Sequence, residues 1–352
     1  MPLACLLTDG QDAQPGHDLY LARGDGLAGP GPTAWLPDEL GHITVGDIIS
    51  VAGDASRVGV LWKSTAAHNS LLLTEQCDNY CLMCSQPPKT RDDSWLFERA
   101  KQVVSLLPPA ATGIGLTGGE PTLNEDAFIA LLEHCRDVAP WLSLHLLTNG
   151  RRFADMRFAQ RYAAVGLGDI MAGIPLYGPE PSLHDYVVQA SGAFEETVHG
   201  ILNLATLGQA IEVRIVVQLR TVPILVELAE FITRNLPFVS QVALMGLEMT
   251  GLARPNSAEV WIDPVDYQDQ LREAASVLTD ARIHTKIYNH QLCVLDERLW
   301  PLAVRSISDW KNDYLDECTR CAVRDLCGGV FTTSGNRLSP SLHPLALVPG
   351  QA

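Results

Sequence analysis

The chain has 352 residues, 47% hydrophobic and 19% charged, an ordinary composition for a protein that buries a large core and has room for two or three domains. Its 41 acidic residues outnumber 25 basic ones, and the formal charge of −16 repels phosphate backbones, which argues against nucleic acid as a substrate. No apolar stretch reaches bilayer-spanning length and no apolar signal segment opens the chain; with an odd count of nine cysteines, this predicts reduced thiols in the cytoplasm and no membrane partner.

Residues 1–68 combine the Gly/Pro-rich stretch from Gly24 to Pro32 with β-like runs from Ile43 to Val51 and from Arg57 to Trp62, which predicts a small β-rich N-terminal domain. From Asn69 onward, apolar strand runs alternate with helical patterns, the signature of βα units and a parallel sheet. Strands are expected at 71–73, 113–116, 144–147, 170–176, 213–219 and 242–247. One helix is announced by Asn124 as N-cap, by acidic Glu125 and Asp126 in its first turn, and by Phe128, Leu131, Leu132 and Cys135 at helical spacing. Cys135 falls on that apolar stripe and reads as a core thiol, while Cys5 belongs to no motif. Six units fall short of a closed eight-unit barrel. The expected fold is therefore α/β, a partial (β/α)6 TIM-like barrel over residues 69–260, open on one side to a large substrate and carrying its active residues at the C-terminal strand ends.

The chemistry is concentrated in two cysteine groups. Cys77, Cys81 and Cys84 stand four and three positions apart directly after the first barrel strand. Such a loop wraps one corner of an iron–sulfur cube; three thiolates hold three irons and leave the fourth open to a chelating ligand. Structural zinc usually draws its cysteines from two separated pairs, and fits this loop less well. After the second strand comes Gly118-Gly119-Glu120-Pro121, whose glycines let the backbone approach a ligand closely and whose carboxylate accepts from a cationic amine. Further on, Cys318-Thr319-Arg320-Cys321, Cys327 and upstream Cys293 supply four more thiols, a set that spacing alone leaves open between a closed iron–sulfur cluster and structural zinc. The segment after Arg337 shows no chemical motif.

The Cys77–Cys84 loop together with the Gly118–Pro121 turn resembles the radical S-adenosylmethionine (SAM) superfamily. The resemblance implies that Cys77, Cys81 and Cys84 hold a [4Fe-4S] cluster, that SAM chelates its open iron, and that one electron cleaves SAM to methionine and a 5′-deoxyadenosyl radical, which takes hydrogen from substrate. It places Glu120, with Gly118 and Gly119, against SAM's amino group and Met83 against the adenine. Asn149, in Thr148-Asn149-Gly150, is both a turn signal and a candidate SAM or substrate contact. Where related enzymes carry a serine for the ribose and a downstream arginine, this chain has Pro175 and then Val188-Gln189, so Arg214 on the fifth strand becomes the substitute candidate. The later cysteines are similar to the auxiliary-cluster domain called twitch or SPASM-like, expected over residues 261–337 with a second [4Fe-4S] cluster in preference to zinc, followed by a tail at 338–352. The stretches Leu71 to Pro88, Ala243 to Asn256 and Ser306 to Lys311 resemble the His-Xaa-Ser system radical SAM maturases. That implies a ribosomally made precursor peptide as substrate, an electron donor of flavodoxin or ferredoxin type, and a second radical SAM maturase of the same system as partner. A radical SAM enzyme acting on a small molecule, and a non-catalytic iron–sulfur sensor or scaffold, are the alternative functions.

Overall fold

A computed structural model describes residues 4–7, 19–23, 29–52, 56–308, 311–335 and 337–346; parts of the Gly24–Pro32 and Ser306–Lys311 stretches lie outside the described residues. The chain divides into two compact units, residues 1–69 and 70–352. In the first, β1 (Ala4–Leu7), β2 (Leu19–Ala22) and β3 (Thr33–Trp35) form a parallel sheet, and β4 (Ile48–Val51) pairs antiparallel with β5 (Val58–Trp62). Leu21, Leu36 and Ile43 form its small core. The run expected as strand from Ile43 begins as a turn, because Asp47 accepts from Thr44 N and Ser64 N, each at 2.8 Å, and pairs with Lys63 Nζ at 2.7 Å.

The second unit is built on one eight-stranded sheet. Its strands are β6 (Ser70–Leu72), β7 (Gly113–Thr117), β8 (Ser143–Leu147), β9 (Ile170–Pro175), β10 (Ala210–Val217), β11 (Gln241–Gly246), β12 (Thr285–Tyr288) and β13 (Ala303–Val304), adjacent in chain order and all parallel. The sheet does not close, since β6 and β13 are its edges. Six strands were expected and eight are present. The additional pair lies at 285–288 and 303–304, where short runs interrupted by Lys286 and Arg305 carry little strand signal of their own. A separate antiparallel pair, β14 (Asn312–Asp313) and β15 (Val330–Phe331), follows.

Among the described residues, eight α-helices connect and flank these strands: α1 (Trp95–Leu106), α2 (Glu125–Val138), α3 (Met156–Ala164), α4 (Pro181–Val188), α5 (Ala193–Thr206), α6 (Leu225–Asn235), α7 (Ser257–Val260) and α8 (Gln268–Asp280). Helix α2 starts where expected, with Asn124 Oδ1 accepting from Ala127 N at 3.3 Å, and buries Phe128, Leu131, Leu132 and Cys135. Phe128, Phe153, Phe158 and Tyr162 interlock with ring centroids 5.1–6.4 Å apart, tying α2 to α3. Burying each such side chain stabilises the fold by about 1.5–3 kcal/mol.

The strands have two unlike faces. Ile114, Leu116, Leu144, Leu146, Ala172, Ile174, Val213, Ile215, Val242, Leu244 and Ile287 are buried on one. The alternate residues, among them His145, Arg214, Val216, Met245, Lys286 and Tyr288, are only partly buried. The period of two therefore leaves the concave face accessible. Among the described residues no helix is long and apolar enough to cross a membrane.

Candidate active site

The cysteine loop leaves the C-terminal end of β6 and is held from several sides. Asp93, nearly fully buried, accepts from Thr74 Oγ1 at 2.9 Å and Glu75 N at 2.5 Å, fixing the loop's start. Helix α4 ends on Gln189, whose φ of 54° turns the chain out of the helix and leaves the last carbonyls without intrahelical partners. Val188 O and Val187 O accept instead from Tyr80 N and Leu82 N of the loop, each at 2.9 Å. Downstream, Leu252 N donates to Cys84 O at 2.8 Å and Asn256 Nδ2 to Leu82 O at 2.9 Å. Gly251, with φ +53°, comes so near Cys84 O that a Cβ would stand 2.3 Å from it. The loop's backbone groups are thus largely spoken for by the protein.

Within this frame Cys77, Cys81 and Cys84 are brought together. Burial pushes the Cys77 thiol up to about 12, with the charges of Glu120, Asp78 and Cys84 adding to it, and raises Cys81 further, with Cys84 and Cys77 as neighbours. Asn79 N donates to Cys77 Sγ at 3.4 Å, a contact that favours the thiolate. Three mutually adjacent thiols, in a loop fixed by its backbone, fit a cluster that needs three protein ligands.

The Gly118–Pro121 turn packs directly on that loop. Gly119 N donates to Thr74 O at 2.8 Å and Glu120 N to Gln76 O at 2.7 Å. A Cβ on Gly118 would lie 2.6 Å from Thr74 O, and one on Gly119 2.1 Å from Gln76 O and 3.1 Å from Cys77 Cβ. The close approach these glycines permit is to the cysteine loop itself. Glu120 is fully buried. Its Oε1 accepts from Thr122 N at 3.0 Å, Thr122 Oγ1 at 2.6 Å and Thr148 Oγ1 at 2.8 Å, and its Oε2 from Asn149 N at 2.5 Å. Burial raises its pKa while these donors pull it back. An ionised carboxylate has about four acceptor positions, and the uneven division leaves Oε2 room for one more donor.

Asn149 links the turn to the cluster loop, since its Nδ2 donates to Asp78 Oδ1 at 2.6 Å. Arg151 does the same more strongly: Nη1 donates to Asp78 O at 2.9 Å and to Asn79 Oδ1 at 2.8 Å, while Nε pairs with Glu196 at 2.6 Å. Neither Asp78 nor Arg151 carries a signal that sets it apart in the sequence; the turn that begins at Asn149 and Gly150 was the nearest pointer. Met83 is buried among Tyr177, Val187, Val188 and Met249. Arg214 stands in mid-strand on the concave face, near enough to Tyr177 for its charge to be felt there, with Nη1 2.5 Å from Glu212 Oε1. Burial disfavours charge on Glu212, but His145 and Arg214 outweigh it and hold its pKa down at about 2.

Cys293, Cys318, Cys321 and Cys327 line one recess, together with Tyr314 and Arg324. Cys327 Sγ accepts from Gly329 N at 3.5 Å and Cys321 Sγ from Leu345 N at 3.4 Å. The segment after Arg337, without a motif of its own, therefore supplies a hydrogen bond and, through Leu342 and His343, part of the wall. Among the described residues no three His, Cys, Asp or Glu side chains converge closely enough to hold a single metal ion. A [4Fe-4S] cube spreads its ligand sulfurs more widely, and four thiols around one recess fit it.

Residues 71–232 match the model of the Radical SAM superfamily. The matched segment, under half of the chain, runs from β6 to α6 and contains the Cys77–Cys84 loop, the Gly118–Pro121 turn and Asn149. No curated protein sequence matches the chain. Among solved structures, SuiB of Streptococcus suis bound to its precursor peptide SuiA is 12% identical with a TM-score of 0.49, covering 63% of this chain and 48% of its own. The enzyme anSMEcpe with AdoMet and the Cp18Cys peptide is 17% identical with a TM-score of 0.49, covering 62% and 63%. A radical SAM methyltransferase from Sphaerobacter thermophilus is 15% identical with a TM-score of 0.47, covering 71% and 79%. The chain spans about half the length of the SuiB chains it matches.

Proposed function

We propose that the chain is a radical SAM maturase that removes hydrogen from a residue of a ribosomally made peptide of the His-Xaa-Ser type, in a reducing compartment. The observation that carries the enzyme class is the packing of the Gly118–Glu120 turn onto a loop of three adjacent thiols at the end of β6. Cys77, Cys81 and Cys84 would hold the [4Fe-4S] cluster, and Glu120 Oε2 the amino group of SAM. Held by these residues, the cluster and SAM would supply one-electron radical chemistry for hydrogen abstraction, with the electron coming from an external donor.

The protein's own part is positioning. Asn149 and Arg151 hold Asp78 and Asn79, and hence the cluster loop, at fixed distance from Glu120. Cys293, Cys318, Cys321 and Cys327 would hold an auxiliary [4Fe-4S] cluster, with Gly329 N and Leu345 N donating to the ligand sulfurs of Cys327 and Cys321. The peptide substrate rests on the likeness of three stretches to His-Xaa-Ser maturases, and with it come an electron donor of flavodoxin or ferredoxin type and a second maturase as partners.

The test is 5′-deoxyadenosine formation by anaerobically reconstituted, reduced protein, with and without precursor peptide, beside Cys81→Ala. Product in the wild type alone, increased by peptide, is expected. Equal product from Cys81→Ala would sink the cluster assignment, and indifference to the peptide would turn the search to a small molecule.

A further inference from the structure

The concave face of the sheet carries a group of charges outside the Cys77–Cys84 loop and the Gly118–Pro121 turn. Arg214 stands three residues before the end of β10, about 10 Å below the rim at 3.3 Å per residue. Its two in-register neighbours are Pro175 on β9 and Ala243 on β11, and Ala243 is in turn level with Lys286 on β12. From the other side His145 of β8 reaches in over Gly173. A Cβ at Gly173 would lie 2.9 Å from Arg214 Cδ, 3.0 Å from His145 Nε2 and 3.2 Å from Leu147 Cδ2, so the glycine is what lets these side chains meet.

Three basic side chains thus share the concave face with one carboxylate. Glu212 is 1% exposed and engages Arg214 Nη1. His145 Nε2 is 3.3 Å from the same carboxylate oxygen, an ion-pair contact that helps keep Glu212 ionised, and makes no well-aligned hydrogen bond. Lys286 is half-buried and has no hydrogen-bond or ion-pair partner among the described residues. Nearer the rim, Leu147, Val216 and Met245 are apolar and partly accessible. A face of net positive charge inside a chain of net charge −16 departs from the average of the molecule. The half-buried Lys286 ammonium, without a partner among the described residues, leaves bonds to be made.

We propose that Lys286, Arg214 and His145 form an anion subsite inside the open barrel, which takes a carboxylate of the substrate while the adjoining aliphatic part lies against Leu147, Val216 and Met245. The role as substrate site rests on the radical SAM reading; the binding does not.

The experiment is calorimetric titration of the reconstituted full chain with hexanoate, and with hexan-1-ol as control. SAM titration and 5′-deoxyadenosine yield are measured on the same preparations. Hexanoate is expected to bind and hexan-1-ol not. Lys286→Gln and His145→Asn should each weaken hexanoate by about tenfold or more, the loss of one charge-assisted contact, with SAM affinity unchanged. No binding of hexanoate, or equal binding by wild type and both variants, overturns the subsite. Weakened SAM with hexanoate unchanged overturns it too, assigning these cations to SAM's own carboxylate. Hexanoate binding without any 5′-deoxyadenosine, even with peptide present, would keep the subsite and remove the radical SAM reading.

Discussion

Arg151 Nη1 donates to the main-chain carbonyl of Asp78 at 2.9 Å, so a residue from the third strand's loop fixes the position of the cysteine loop after the first. The same nitrogen reaches Asn79 Oδ1 at 2.8 Å, and Glu196 locks the guanidinium from behind at 2.6 Å. These contacts cross 72 and 73 residues of chain.

Replacing Arg151 by Ala should therefore loosen the first cluster without removing a ligand. Each lost charge-assisted contact is worth about 1.5–3 kcal/mol at most, less here because the site is partly solvated. Iron should still incorporate, but the reduced cluster's electron paramagnetic resonance signal should broaden and SAM should bind more weakly. Lys, lacking the planar fork, should not restore the signal. A wild-type spectrum from Arg151→Ala would show that the loop holds itself.

Gly119→Ala should be more damaging than its size suggests. The added Cβ meets a main-chain oxygen, Gln76 O, at 2.1 Å, and backbone cannot swing aside as a side chain can. The turn and the cysteine loop must part, which should lower iron content on reconstitution and melt the protein several degrees earlier. The same substitution at Gly168, with nothing within 4 Å, should change neither measurement.

Cys318→Ala should leave the first site intact and remove the second. Iron content should fall by about half, while SAM binding persists. Zinc retained in the wild type after anaerobic purification, with iron unchanged in Cys318→Ala, would reassign the recess to a structural metal.

The Glu212–Arg214 pair should make stability depend on pH in acid. The carboxyl has a folded pKa of about 2 against an ordinary value of 4.5, so the unfolded chain binds the proton more readily. Its contribution is complete above about pH 4.5 and is lost as pH falls toward 2. Glu212→Gln should be less stable than wild type at pH 7 by about 1–3 kcal/mol, because Arg214 loses its partner in a partly buried place. The difference in melting temperature should shrink from pH 5 to pH 3; a constant difference would mean that Glu212 acts through packing alone.

Much of the barrel was legible along the chain because each strand has one face packed under helices, and a buried face writes itself as apolar residues at period two. Helix α2 was legible for a similar local reason, its cap and its stripe lying within fifteen residues. Strand β10 begins at Ala210, three residues before the expected start, because a buried Glu212 interrupts the apolar pattern and its partners on β8, β10 and β11 make that burial tolerable. Strands β12 and β13 were hidden because four and two residues are too short to show a period, and their place in the sheet is set by pairing, β12 with β11 and β13 with β12.

For the candidate site the division is sharper. Residue identity and spacing alone determined which side chains could carry the chemistry, since three thiols within eight residues must share a loop and a Gly-Gly-Glu turn must follow its strand. Tertiary structure alone decided what those residues do to one another. The glycines of the turn meet the cysteine loop, Glu120 accepts four hydrogen bonds from within the protein, three of them on Oε1, Arg151 reaches Asp78, and Leu345 reaches Cys321. Hydrogen bonds and steric contacts act over about 3 Å of space irrespective of chain separation, so no local pattern of residues can record them.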